Sequence, residues 1–198
     1  FIEVKGIVQG VGFRPFVYKL AKLNNLVGWV NNTSKGVMID IEGDEKNLNS
    51  FIDELNNNPP LLSKITSINI MNMEIVGYKN FIIKESNNKL NATTYISPDY
   101  SICPQCKEEI FDKNNRRYRY PFTNCTNCGP RFSIIKSLPY DRVSTTMYDF
   151  KMCNKCKNEY NNPSNRRFHA EPNACPECGP RVYIIDKYNN EIKCTDYF

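Results

Sequence analysis

An α+β domain followed by a cysteine-rich half built from two copies of one unit is the architecture this sequence predicts, on three observations. Residues 1–85 alternate strand-like and helix-like periodicity in the order β-α-β-β-α-β, with a short final strand. All nine cysteines lie beyond residue 102. A shift of fifty residues aligns the second half with itself without a gap.

Residues 1–8 read as a strand that runs into the glycine-spaced loop Gln9-Gly10-Val11-Gly12-Phe13. Residues 14–25 place Phe16, Val17, Leu20, Ala21 and Leu23 at helical spacing, and Asn24-Asn25 supplies the stop. A second strand over 26–31 turns through Asn32-Thr33-Ser34-Lys35-Gly36 into a third over 37–42. After Gly43-Asp44 a helix runs to about Asn57, with Leu48, Phe51, Ile52 and Leu55 on one face and Pro59-Pro60 ending it. Residues 65–73 and 81–83 complete the sheet. Such a split β-α-β order gives an antiparallel sheet with both helices on one face, a ferredoxin-like sandwich. Residues 86–98 are polar, with few large apolar side chains, and read as a linker. The expected domains are therefore 1–88 and 99–190.

Each copy in the second half reads C-x2-C-x18-C-x2-C. Two cysteines three apart on a tight turn reach one ion, and two such turns complete a tetrahedron. With no export signal, this spacing favours zinc over disulfides. The expected ligands are Cys103, Cys106, Cys125 and Cys128 on one Zn2+ and Cys153, Cys156, Cys175 and Cys178 on the other. Interleaved pairing between the copies stays open, because spacing gives proximity along the chain and not in space. A shell of four thiolates leaves no position for water, so both ions are expected to be structural. Gly129 and Gly179 suit a positive-φ corner after the metal-binding turn. Arg131 and Arg181 are positioned to offset the anionic centres. His169 aligns with Arg119, which cannot ligate, and is expected to be a solvated or hydrogen-bonded residue. Cys194 lies outside the repeat and reads as a free, packed thiol.

The formal net charge is +5, with most of the excess beyond residue 90. Two Zn2+ ions and eight thiolates lower it to about +1, so a general polyanion-binding surface is not indicated. No apolar run is long enough for a membrane span, and no basic leader precedes an apolar stretch, so a cytoplasmic protein without a membrane partner is expected. The start at Phe1 rather than Met implies a processed or excised piece.

The loop from Gly6 to Arg14 joins a strand end to a helix start, and its glycines let backbone amides converge on an anion, to which Arg14 adds a bidentate contact. Together with Gly28-Trp29-Val30-Asn31-Asn32-Thr33-Ser34-Lys35-Gly36, this loop resembles the acylphosphatase signature over residues 1–85. The resemblance implies that the loop Gln9, Gly10, Val11, Gly12, Phe13 and Arg14 binds phosphate and that Asn32 positions the attacking water. Acyl phosphates carry a good leaving group, so no side-chain nucleophile is required, and amides with a guanidinium stabilise the charge of the transition state.

An acylphosphatase-like domain followed by two C-x2-C-x18-C-x2-C units resembles the N-terminal part of the HypF family, carbamoyltransferases of [NiFe]-hydrogenase maturation. That resemblance implies hydrolysis of carbamoyl phosphate in the first domain. ATP use, and transfer to a maturation partner protein that accepts the carbamoyl group, would reside in domains absent from this chain. Two other functions compete. One is a stand-alone acylphosphatase with a zinc appendage. The other is a nucleic-acid-binding zinc module, suggested by Arg116-Arg117-Tyr118-Arg119-Tyr120 but opposed by the near-neutral loaded charge and the lack of a basic-aromatic run on strand 37–42.

Overall fold

The computed structural model describes residues 1–86 and 95–193. Much of the linker, the last two residues of the first expected domain and Cys194 lie outside the described residues.

The first half runs β1 (Ile2–Ile7), α1 (Phe13–Leu23), β2 (Val27–Thr33), β3 (Gly36–Glu42), α2 (Glu45–Asn57), β4 (Lys64–Ile70) and β5 (Phe81–Ile83). The sheet order is β4-β1-β3-β2-β5, antiparallel except for β5 beside β2. Asn32, expected in the hairpin turn, is instead a ladder residue opposite Val37. Thr33 pairs with Gly36, which leaves Ser34-Lys35 as a two-residue loop. β4 stops at Ile70 rather than residue 73, because the Met71 amide bonds the Phe1 carbonyl, where its partner strand begins.

Alternate residues of the strands, among them Val4, Val30, Val37 and Ile39, bury against Val17, Leu20 and Ala21 of α1 and Phe51 and Leu55 of α2. Full burial of each large side chain stabilises by about 1.5–3 kcal/mol. This half thus has an apolar core of its own and needs no metal to form it.

The second half contains α3 (Pro104–Phe111), α4 (Asn154–Asn161), several single 3-10 turns and a small hairpin of β6 (Ile184–Ile185) and β7 (Glu191–Ile192). Its apolar interior is sparse: one cluster around Cys106, Cys125 and Cys128, another around Tyr120, Met147 and Ala174. Reciprocal braces between the two copies take the place of a core. Arg117 of the first copy reaches Glu159 at 2.6 Å and donates from Nε to the Ala174 carbonyl at 2.9 Å in the second. Arg167 of the second copy pairs with Glu109 and donates from Nε to the Asn124 carbonyl at 3.0 Å in the first. Arg117 is buried, and its removal leaves Glu159 to Arg116 alone and takes the donor from the Ala174 carbonyl. Arg117→Ala is expected to destabilise this half by about 1–3 kcal/mol, read as a lower urea midpoint of its far-UV signal. An unchanged midpoint would show that the brace does not contribute.

The turn that carries Cys125 and Cys128 lies directly against the first half. A Cβ on Gly10 would sit 2.6 Å from Pro130 Cβ, and one on Gly12 would sit 3.2 Å from Thr126 Cβ. Both glycines have left-handed φ, 73° and 75°, so a side chain at either is opposed by backbone and neighbour together. The Tyr18 ring of α1 also meets Phe168 edge-on at 5.3 Å.

Candidate active site and metal centres

In each copy the first cysteine caps a short helix and the second lies in its first turn: Cys103 and Cys106 on α3, Cys153 and Cys156 on α4. The sulfurs group as Cys103, Cys106, Cys125, Cys128 and as Cys153, Cys156, Cys175, Cys178, each set within 4.8 Å of one another. The geometry therefore separates the copies rather than interleaving them. Contacts of 3.6 Å between Cys103 and Cys125 and 3.7 Å between Cys175 and Cys178 approach the roughly 3.8 Å edge of a zinc-thiolate tetrahedron. They are far too long for disulfides. The donor set fits a zinc ion in each copy.

The arginines that face the sulfurs belong to the opposite copy. Arg116 donates to Cys156 Sγ at 3.1 Å and Arg166 to Cys106 Sγ at 3.0 Å. Arg131, expected to offset the charge, instead donates to the carbonyls of Cys128 and Pro130. Gly129 has the expected positive φ of 73°. Gly179 does not, and its requirement is space, since a Cβ there would lie 2.1 Å from Tyr120 Oη. His169 joins neither set of sulfurs; half-buried, its ring packs on Tyr160 and Phe168. Burial, with the Arg14 charge, holds its imidazole down to about 4.

The glycine loop, Arg14 and Asn32 converge on one cavity of about 20 Å³, the space of about one water. Val11 and Phe13 bury their side chains in the core, so these loop residues offer backbone alone. Among the described residues, no hydrogen bond engages the amides of Gly10 through Arg14. The Gln9 side chain is a bracket: Nε2 donates to the Thr33 and Gly36 carbonyls, and Oε1 accepts from the Tyr140 amide at 2.9 Å.

Arg14, 7 % exposed at the start of α1, is held by the second half. Its Nη1 meets Asp141 at 2.6 Å, and its Nη2 donates to Glu171 Oε1 at 2.7 Å and to the Tyr140 carbonyl at 3.3 Å. Burial alone would weaken the guanidinium charge, but Asp141 and Glu171 outweigh it and raise the pKa above its usual range. Burial pushes the Glu171 carboxyl up to about 7, against the pull of Arg14. Asn32 Nδ2 donates to the same Tyr140 carbonyl at 3.2 Å, while its buried Oδ1 has no partner among the described residues.

The second half therefore roofs the loop, and sequence reasoning missed the residues that do so, Tyr140, Asp141 and Glu171. A signal for Glu171 was present in the repeat: the copies share their cysteines and paired arginines, yet Pro121 in the first stands where Glu171 stands in the second. The arginines of the RRYRY run, suggestive of nucleic acid, are engaged internally, with Arg116 and Arg117 on Glu159 and Tyr120 buried.

The acylphosphatase family model matches residues 1–83, and the HypF finger matches residues 102–135 and 152–185. A probable carbamoyltransferase HypF from Methanocaldococcus jannaschii is 53% identical over 145 residues, covering 71% of this chain and 19% of that protein. An acylphosphatase from Thermotoga maritima is 42% identical over 84 residues, covering 42% of this chain and 92% of that protein. A crystal structure of full-length HypF in the phosphate- and nucleotide-bound form superposes with a TM-score of 0.89 at 47% identity, covering 99% of this chain and 25% of that one. The chain thus spans about a fifth of the length of the HypF relatives it matches. With an acylphosphatase domain in residues 1–83 and two HypF fingers behind it, the chain belongs to the HypF family.

Proposed function

We propose that this chain hydrolyses carbamoyl phosphate in a chamber built by both halves, and that two structural Zn2+ ions hold the half that forms its roof. The supporting observation is the convergence of Arg14, Asn32 and the unengaged loop amides on one buried cavity.

In this scheme the phosphoryl group sits on the amides of Gln9 through Arg14, and the guanidinium of Arg14 turns from its carboxylate partners to the phosphoryl oxygens. Asn32 Oδ1, buried and unpartnered, accepts a hydrogen bond from the water that attacks phosphorus and so orients it. The P–O bond to the acyl group breaks, carbamate leaves as its carboxylate, and of the water's two protons one stays on the phosphate formed while the other passes to solvent. Stabilisation comes from fixed donors aimed at the charge on the phosphoryl oxygens, so no side chain forms a covalent bond.

The zinc ions supply cross-links in place of an apolar core, with Cys103, Cys106, Cys125 and Cys128 holding one and Cys153, Cys156, Cys175 and Cys178 the other. The eight cysteines among the described residues are unpaired, which suits the reducing cytoplasm, and no described helix is long and apolar enough to cross a membrane. ATP-dependent activation of the carbamate and transfer of the carbamoyl group to a hydrogenase-maturation partner are proposed for the whole protein and lie outside these residues.

Asn32→Ala is expected to lower kcat for phosphate release from carbamoyl phosphate by about 10²–10³-fold, with KM little changed, since it removes orientation of the water and not phosphate binding. A kcat equal to wild type would remove Asn32 from the reaction.

A further inference from the structure

Nothing in the glycine loop distinguishes one acyl phosphate from another, because it addresses only the phosphoryl group. The wall opposite it can. Around Arg14 the roof presents hydrogen-bond acceptors: the Tyr140 carbonyl, Asp141 and Glu171. Two of them, Glu171 Oε1 and the Tyr140 carbonyl, converge on a single atom, Arg14 Nη2, at 2.7 and 3.3 Å. They already grip a planar NH2 group. Glu171 is also fixed in place: it is 2 % exposed, and its Oε2 accepts from Tyr160 Oη and from the Arg142 amide, each at 2.9 Å. Its Oε1 is therefore held toward the cavity whatever Arg14 does. The zinc frame does not require this carboxylate, because the first copy forms the same frame with Pro121 at that position.

On the phosphatase assignment proposed above, Arg14 turns to the phosphoryl oxygens, so Glu171 Oε1 loses its donor and the Tyr140 carbonyl keeps only Asn32 Nδ2. We infer that Glu171 Oε1 and the Tyr140 carbonyl then bind the amino group of the substrate, and that Glu171 is the residue that selects an amino-substituted acyl phosphate over an alkyl one. Carbamoyl phosphate replaces the lost guanidinium donors with two N–H bonds of the same planar geometry. Acetyl phosphate offers a methyl group of similar size and leaves the buried Glu171 Oε1 without a donor and the Tyr140 carbonyl with Asn32 alone. A site built to bond a substrate N–H rejects the analogue that lacks it far more strongly than an apolar pocket rejects a change in size.

The test is the ratio of kcat/KM for carbamoyl phosphate to that for acetyl phosphate, measured on the whole chain in wild type, Glu171→Gln and Glu171→Leu, with zinc content checked in each. Wild type is expected to prefer carbamoyl phosphate by at least about 100-fold. Glu171→Leu, which keeps the volume and loses the acceptor, is expected to reduce that ratio at least tenfold. Glu171→Gln, which keeps one acceptor oxygen, should fall between them. If the leucine variant does not retain two zinc ions, the glutamine variant decides, and its ratio must drop at least threefold. An unchanged ratio in a zinc-loaded variant, an equal fall for both substrates, or a wild type that does not discriminate overturns the assignment of Glu171. Failure of wild type to hydrolyse either substrate instead overturns the phosphatase assignment on which it rests.

Discussion

Arg14→Ala is expected to lower kcat/KM for carbamoyl phosphate by at least about 10³-fold while leaving two zinc ions bound. Loss of one preorganised donor to a developing oxyanion costs about 10²–10³ in rate, and Arg14 supplies a charged, two-pronged donor. The substitution also leaves Asp141 and Glu171 facing each other without their cation. A substrate dianion would then enter a buried chamber lined by two carboxyl groups, so KM should rise as kcat falls. Arg14→Lys keeps the charge but not the fork, and should recover only part of the loss. Phosphate release by Arg14→Ala at the wild-type rate would show that the guanidinium serves only to join the halves.

Removal of zinc is expected to have the largest effect on structure, confined to one half. Binding of a structural zinc contributes about 10–16 kcal/mol to folding in small metal-dependent units, more than the sparse clusters around Cys106 and Tyr120 can replace. Chelation should abolish the helical signal of α3 and α4 and expose residues 95–193 to protease, while residues 1–86 survive on the core of α1, α2 and the five-stranded sheet. Because Arg116 and Arg166 reach across to the sulfurs of the opposite copy, the two sites should also release metal together. Cys106→Ser is expected to lower zinc content below one ion per chain rather than to one, by elemental analysis. Independent loss of a single ion, or proteolysis of both halves alike after chelation, would contradict this account.

Much of the fold was legible because its causes are local. Apolar spacing at Val17, Leu20 and Ala21 and at Phe51 and Leu55 marks the buried faces of α1 and α2, and Pro59-Pro60 closes the second helix in sequence and structure alike. The cysteine pairs were legible for the same reason, since three-residue spacing brings two sulfurs to one turn. Hairpin register was not: whether Asn32 lies in the turn or the ladder depends on which residues pair, and the Thr33–Gly36 match decides it. The glycine loop, Arg14 and Asn32 line one cavity. What covers them was not legible, because Tyr140, Asp141 and Glu171 lie more than a hundred residues away in sequence. Arg131 failed as a charge partner for a related reason: the arginines that face each set of sulfurs come from the other copy, a crossing that no repeat spacing encodes.

The account depends most on an anion binding where Arg14 now holds carboxylates. Crystals of the zinc-loaded chain soaked in inorganic phosphate test this directly. The expected electron density places phosphate within hydrogen-bonding distance of the amides of Gly10 through Phe13 and of the Arg14 guanidinium, with Nη2 withdrawn from Glu171. Phosphate bound elsewhere, with Arg14 still paired to Asp141 and Glu171 at saturating anion, would contradict the account.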